Sequence, residues 1–195
     1  MNTGIIILAA GSSSRLGRPK QLLLYKGSTL LSRIVKESVL FADRAVVVVT
    51  GSYNMEVEAA IQDKNVLICN NLKWKEGMAS SIRKGLKHLL VFHPELKSCI
   101  ITVCDQPYIE NSVFFELEAL QIATEKGIIA CGYAENFGVP VLFTKQYFKD
   151  LLLLEGQQGA RKLLKQYKED LAVLHFENGI IDIDTIEDYE KLIHK

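Results

Sequence analysis

Residues 4–20 read GIIILAAGSSSRLGRPK: an unbroken apolar run, a turn of small residues, then an arginine and a Pro-Lys pair. An apolar run bounded in this way is the pattern of a strand buried on both faces, as strands inside a parallel sheet are. The turn that follows would stand at the carboxyl end of that strand, where open α/β sheets bind their ligands. Backbone N–H groups left unpaired in such a turn can cradle anionic oxygens. Gly11 and Gly17 let the main chain come close or take positive φ, Ser12, Ser13 and Ser14 add small hydroxyl donors, and Arg15 and Lys20 add charge. An ordinary Gly/Ser loop with two solvated cations has a similar composition. What sets this one apart is the fixed order of strand, small-residue turn, arginine and Pro-Lys. Neither common nucleotide loop is present, since the spacings G-x-x-x-x-G-K-[ST] and G-x-G-x-x-G are both missing.

Outward from this stretch, strand-like and helix-like patterns alternate. Leu30, Leu31, Ile34, Val35 and Val39 recur at helical spacing over 28–41, and 45–50 is a β-branched run. A helix over 53–62, a strand over 66–69, a helix over 79–91, a strand over 98–103, a helix over 111–125 and a strand over 127–132 continue the rhythm. Beyond Gly138 it changes to a short strand at 139–143 and helical pieces at 148–154 and 159–167. Strands near 171–175 and 180–183 follow, then a last helix from Glu187. The expected fold is α/β: a Rossmann-like three-layer sandwich on a mostly parallel sheet, as one domain over 1–195.

The composition agrees with that expectation. Of 195 residues, 48% are hydrophobic, enough to bury a full core without cross-links. Lys and Arg number 23 and so do Asp and Glu, which removes any electrostatic case for a nucleic acid or a membrane surface as partner. Ligand charge must be met locally. Cys69, Cys99, Cys104 and Cys131 form no C-x-x-C pair and sit mostly in apolar runs, so reduced buried thiols are expected. With no signal-like or membrane-spanning stretch, the expected location is cytoplasmic. His88, His93, His175 and His194 show no metal-binding spacing, and the serines lack a nucleophile elbow.

Further candidates fall after the other strands. Residues 104–107, CDQP, place Asp105 at a strand end beside the loop, where a carboxylate can hold a magnesium ion; a helix cap or a turn before Pro107 would use the same residue. Residues 182–188, DIDTIED, bring a second acidic group, with Asp182 and Asp184 alternating across the end of the expected strand so that one faces the site. Thr185, Glu187 and Asp188 also read as a helix start. Residues 70–83, NNLKWKEGMASSIR, combine paired asparagines, a tight glycine and two hydroxyls, groups suited to the hydrogen-bonding edge of a base.

These motifs together resemble nucleotidyltransferases related to the molybdenum cofactor cytidylyltransferases. The signature L-A-A-G-x-S-x-R-[ML]-G-x-P-K is met at every fixed position, with Leu16 where methionine is commoner. N-x-x-[WY]-x-x-G-M-x-x-S is met through Gly77, Met78 and Ser81, D-x-P through Asp105, and D-I-D-T-P-E-D with Ile186 in place of proline. G-x-P-x-x-F is met at 138–143, and GQQGARKLL at 156–164 resembles G-D-x-G-A-R-x-L-L, with Gln157 where aspartate is usual. The resemblance runs from Leu8 to Asp188 and implies a glycosyltransferase-A-like variant of the fold. It also implies an NTP bound by Leu8, Ala9, Ala10, Gly11, Ser12, Ser13, Arg15, Lys20, Asn71, Gly77, Met78 and Ser81. Mg2+ would be held by Asp105 with Asp184 or Asp182, Asp184 being favoured. Acceptor contacts would come from Gln106, Pro107, Gly138, Pro140 and Arg161. Ala10, where guanylyltransferase relatives usually carry glycine, implies CTP, and the acceptor implied is molybdopterin, with a xanthine dehydrogenase-like molybdoenzyme as a further partner. Transfer to a sugar phosphate or methylerythritol phosphate, and a non-catalytic molybdopterin-binding maturation role, are the competing readings.

Overall fold

The computed structural model of the protein describes residues 2–42, 45–133, 136–157 and 159–194. The opening run forms β1 (Thr3–Leu8), buried along its whole length. The loop after it leads to a two-stranded antiparallel hairpin, β2 (Leu24–Tyr25) and β3 (Ser28–Thr29), and into α1 (Leu30–Ala42). Then come β4 (Val46–Thr50), α2 (Asn54–Ala59), β5 (Val66–Asn70), α3 (Met78–Phe92), β6 (Ser98–Val103) and α4 (Asn111–Thr124). The last third holds β7 (Ile128–Tyr133), β8 (Asn136–Thr144), α5 (Phe148–Leu152), α6 (Arg161–Gln166), β9 (Leu171–His175) and α7 (Ile186–Ile193).

Seven strands form one sheet in the order β5-β4-β1-β6-β8-β7-β9. Within it only β8 runs against its neighbours, β6 and β7. Because side chains alternate along a strand, the sheet divides its apolar residues between two faces. Ile5, Ile7, Val46, Val48 and Ile100 pack with residues of α1 and α4, while Ile6, Leu8, Val47, Val49 and Ile101 pack with residues of α3, α5 and α6. Each fully buried Ile or Leu contributes about 1.5–3 kcal/mol relative to exposure. Gly85 sets how closely α3 approaches: a Cβ there would stand 2.6 Å from Ile6 Cγ2 and 2.8 Å from Val49 Cγ2. The expected α/β sandwich on a mostly parallel sheet is what the chain forms.

One expected strand is missing. Residues 180–183 do not join the sheet; a 3-10 turn over Glu177–Ile180 is followed by irregular chain up to the start of α7. Its anchors explain the difference. The Ile183 N–H donates to the carbonyl of Asp105 at 3.0 Å, and the Ile183 side chain is buried with Leu16, Leu23, Tyr25, Leu30 and Leu192. The segment therefore crosses the mouth of β6 instead of pairing at an edge. All four cysteines are free and buried. Among the described residues, no helix is long and apolar enough to cross a membrane.

Two features of the sheet position the site. Leu8 is in register with Val49 on one side and Val103 on the other, so the chain leaves β1 and β6 side by side at their carboxyl ends. The β1–α1–β4 connection turns to one side of β1 and the β5–α3–β6 connection returns to the other, which opens a crevice there, as at the switch point of doubly wound sheets.

Candidate active site

The loop after β1 is folded by its own polar groups. Ala9 still belongs to the sheet edge, its N–H donating to Val49 O at 2.9 Å. The buried carboxamide of Gln21 donates through Nε2 to the carbonyls of Ala9 (2.8 Å) and Gly11 (3.1 Å), which fixes the turn from behind. Ser13 takes a positive φ of 49°, its carbonyl accepts from the Leu16 and Gly17 N–H groups, and its Oγ accepts from the Lys20 N–H at 3.0 Å. These bonds close the loop and bring Lys20 back over the end of the sheet.

Lys20 then meets the acidic residues. Its Nζ donates to Asp105 Oδ2 at 2.5 Å and to Asp184 Oδ1 at 2.8 Å, and Arg15 Nη2 donates to Asp184 Oδ2 at 2.6 Å. Burial works against the charge on Lys20, but the Asp105 and Asp184 carboxylates outweigh it and raise the pKa of the ammonium. The hydrogen bond from Lys20, with Arg15 adding to it, holds Asp184 below the usual carboxylate range. Asp182 goes the other way: burial, then the charges of Asp105 and Asp184, push it up. It forms no ion pair among the described residues. Three carboxylates thus face two cations.

That arrangement fits a divalent cation. Two carboxylate oxygens already converge on one positive nitrogen, and the third carboxylate leaves the cluster short of positive charge. Among the described residues no group of three or more Asp, Glu, His or Cys side chains is placed to hold a metal ion by itself. Magnesium does not need one, since it takes one or two carboxylates and fills its shell with phosphate oxygens and water. The alternation expected of a strand end does not apply to Asp182 and Asp184, because the segment between them is irregular chain tied at Ile183: Asp182 lines the second cavity, and Asp184 pairs with Lys20 and Arg15.

Two cavities meet at this cluster. One, of about 410 Å³, is lined by Leu8, Ala10, Gly11, Ser12 and Lys20 on one side and by Trp74, Gly77, Met78 and Ser81 on the other. The second, of about 310 Å³, is lined by Gln106, Gly138, Arg161 and Asp182, with an apolar wall that includes Ile82, Val141 and Tyr133. Met78, Val103, Asp105 and Gln157 line both. Asp105 is therefore the acidic group at the junction.

Other residues singled out in the sequence lie behind these walls. Ala9 and Asn71 are buried and line neither cavity. The Asn71 Nδ2 donates to Ser80 Oγ (2.8 Å) and Ser81 Oγ (3.0 Å), and its Oδ1 accepts from the Lys73 N–H, so it braces the start of α3. Ser13 holds the loop closed, Arg15 is exposed beside Asp184, and Pro107 and Pro140 are buried outside both linings. Gln106 lines the second cavity while its Nε2 donates to Gly179 O at 2.7 Å. Asp188 and Thr185 form a capping box at the start of α7, which uses the second half of the acidic motif for structure. None of the four histidines lines either cavity. Burial pushes the Cys104 thiol beside Asp105 up to about 12, which removes it as a nucleophile.

Gln21, Val103, Lys75 and Tyr133 belong to the site without having been foreseen. Gln21 lies one residue past the loop and acts through backbone carbonyls, which no spacing rule marks. Val103 and Tyr133 look like ordinary strand residues until the sheet order is known.

A sequence model of the MobA-like NTP transferase domain matches residues 5–171. The chain belongs to that family. Among curated relatives it is 27% identical to the molybdenum cofactor cytidylyltransferase of Escherichia coli, over 94% of this chain and 92% of that one. It is 26% identical to the nicotine blue oxidoreductase of Paenarthrobacter nicotinovorans, over 96% and 95%. The crystal structure of Rv0371c from Mycobacterium tuberculosis superposes with a TM-score of 0.82 at 27% identity, covering 99% of this chain and 98% of that one. A second structure of Rv0371c, a complex with manganese, gives 0.77 at 23% identity, covering all of both chains. The protein is accordingly an enzyme of a nucleotidyltransferase family, on that family's fold.

Proposed function

We propose that the protein transfers CMP from CTP to the phosphate of molybdopterin, releasing pyrophosphate. The observation that carries this reading is the meeting of two cavities at Asp105. One is floored by a strand-end loop suited to phosphate oxygens, and the other is an apolar-walled pocket with Arg161 and Gln106 for an anionic acceptor. A reaction between two bound substrates needs such a shared wall.

In this reading the amides of 10–13, Lys20 and Arg15 bind the triphosphate, and the segment from Trp74 to Ser81 covers base and ribose. Arg161 and Gln106 orient the acceptor so that its phosphate oxygen lines up with the α-phosphorus. Asp105 with Asp184 would hold a divalent cation, Mg2+ in the cell, which when bound neutralises triphosphate charge. The manganese complex of Rv0371c is in keeping with a divalent ion. A phosphate monoester is already anionic, so no protein base has to activate it, and positioning with charge neutralisation supplies most of the rate.

The choice of CTP rests on Ala10 and on similarity to a cytidylyltransferase. The methyl of Ala10 stands 2.8 Å from where a Cβ on Gly51 would be, and Trp74 Cβ 2.9 Å from the same point. The methyl thus packs toward Gly51, and Ala10 is among the residues that line the first cavity. Pyrophosphate release measured with each NTP, molybdopterin and Mg2+ tests the reading. CTP should be fastest, and faster turnover with GTP would overturn the base assignment. Turnover with sugar 1-phosphates or methylerythritol phosphate in place of molybdopterin would overturn the acceptor.

A further inference from the structure

Tyr133 is the last residue of β7, and β8 runs against both β6 and β7, so β6 and β7 end at the same mouth. In the sheet order β8 lies between them, which puts Tyr133 on the far side of the second cavity from Asp105. Its ring sits between two glycines. A Cβ on Gly138 would overlap the Tyr133 Oη, and one on Gly179 would stand 2.5 Å from its Cδ1. The pair therefore makes room for one aromatic side chain. The Gly179 carbonyl also accepts from Gln106 Nε2 at 2.7 Å, so one residue of the turn before α7 sets two side chains of the cavity.

The packing uses the ring and leaves the hydroxyl over. Tyr133 is 9% exposed, and a tyrosine buried to that degree ordinarily has a partner for its O–H. Here the O–H makes no hydrogen bond among the described residues. Its oxygen is not one of the partnerless polar atoms sealed from solvent either, as Gln106 Oε1 is. The access it keeps is through the cavity that the residue lines.

The other walls say what the hydroxyl would meet. Ile82, Val141 and Leu164 make the cavity apolar between its polar ends. A reacting phosphate belongs beside Asp105, where the two cavities join, so Tyr133 faces the opposite end of the same ligand. A polyol would leave hydroxyls unpaired against that apolar wall. A ring with a hydrogen-bonding atom at its far edge would not.

We propose that Tyr133 is a specificity-determining residue for the acceptor, its O–H bonding a carbonyl oxygen or ring nitrogen at the end remote from the reacting phosphate. This deepens the proposed function and rests on its acceptor: the class is a phosphate monoester whose body is a heteroatom-bearing ring, not an open-chain polyol.

The test compares wild type with Tyr133→Phe, which keeps the ring and removes one oxygen. Equilibrium binding of molybdopterin without nucleotide, binding of CTP with Mg2+ without acceptor, and melting temperature are measured on both. Molybdopterin should bind about five- to tenfold more weakly to Tyr133→Phe, the size of one neutral hydrogen bond. CTP binding should not change, and the melting temperature should not fall, because the hydroxyl has no partner in the protein to lose. Unchanged molybdopterin binding overturns the proposal. So does weaker binding accompanied by a lower melting temperature or by an equal loss for CTP, since either marks a structural hydroxyl. Pyrophosphate release by wild type tests the transfer reaction separately: molybdopterin binding that depends on the hydroxyl, without release, sinks nucleotidyl transfer and leaves the Tyr133 contact standing. If wild type binds no molybdopterin, the choice of acceptor falls and takes this inference with it.

Discussion

At the scale of single residues, opposite displacements of neighbouring carboxylates define the site. Asp184 titrates below its unfolded value, so its contribution to stability is complete above the ordinary carboxylate range and is lost as pH falls through the lowered value. Asp182 titrates above its unfolded value; it favours the fold while protonated, and that advantage is lost as pH rises through the raised value. At pH 7, Asp184→Asn should therefore lower the melting temperature and Asp182→Asn should raise it, each on the order of 2–4 °C. Calorimetry from pH 7 down to pH 3 checks both, and the deficit of Asp184→Asn should shrink toward the acid end. Asp105→Asn removes the acidic group shared by both cavities. It should cut kcat by about 10²–10³-fold, as loss of one preorganised electrostatic contact does, while the folded content measured by circular dichroism stays near wild type. Asp105, Lys20 and Arg15 are legible in the sequence because strand, small-residue turn, arginine and Pro-Lys come in one fixed order, and because the family pattern resolves the competing uses of an aspartate before Pro107. Gln21 is not, since it acts on carbonyls inside the loop.

At the scale of elements, the last helix links stability to the site. Thr185 caps α7, and the Asp188 carboxylate accepts from the N–H groups of Thr185 (2.9 Å) and Asp184 (3.2 Å). Thr185→Ala should cost about 1 kcal/mol, read from urea unfolding. Because Asp184 is held by the same box, its pairing with Lys20 and Arg15 should loosen, and the KM for NTP should rise along with the loss of stability. Gly77→Ala tests the packing of the loop before α3 on the loop before α6. Both the positive φ and the contact with Gly156 O oppose a methyl group, so NTP binding should weaken far more than global stability does. The helix start at 185–188 was readable from its capping pattern. The β2–β3 hairpin was not, because two-residue strands carry no periodicity. Residues 180–183 carry the pattern of a strand because alternating Ile and Asp mimic one, while the bond from Ile183 to Asp105 that holds them out of the sheet is long-range.

At the scale of the whole molecule, the sheet turns a linear sequence into a site. The strands and helices were legible because parallel strands buried on both faces read as apolar runs. Their spatial order was not, and that order puts Val103 beside Leu8, and so Asp105 beside the loop. The antiparallel course of β8 brings Gly138 and Val139, which line the second cavity, to the same mouth. Under the proposed function this mouth joins a nucleotide to an anionic acceptor. The measurement that bears on it most directly is product analysis after incubating the protein with CTP, molybdopterin and Mg2+. Pyrophosphate and a cytidine-containing dinucleotide of molybdopterin should form in equal amounts. Neither product forming, while both substrates bind, would contradict that function.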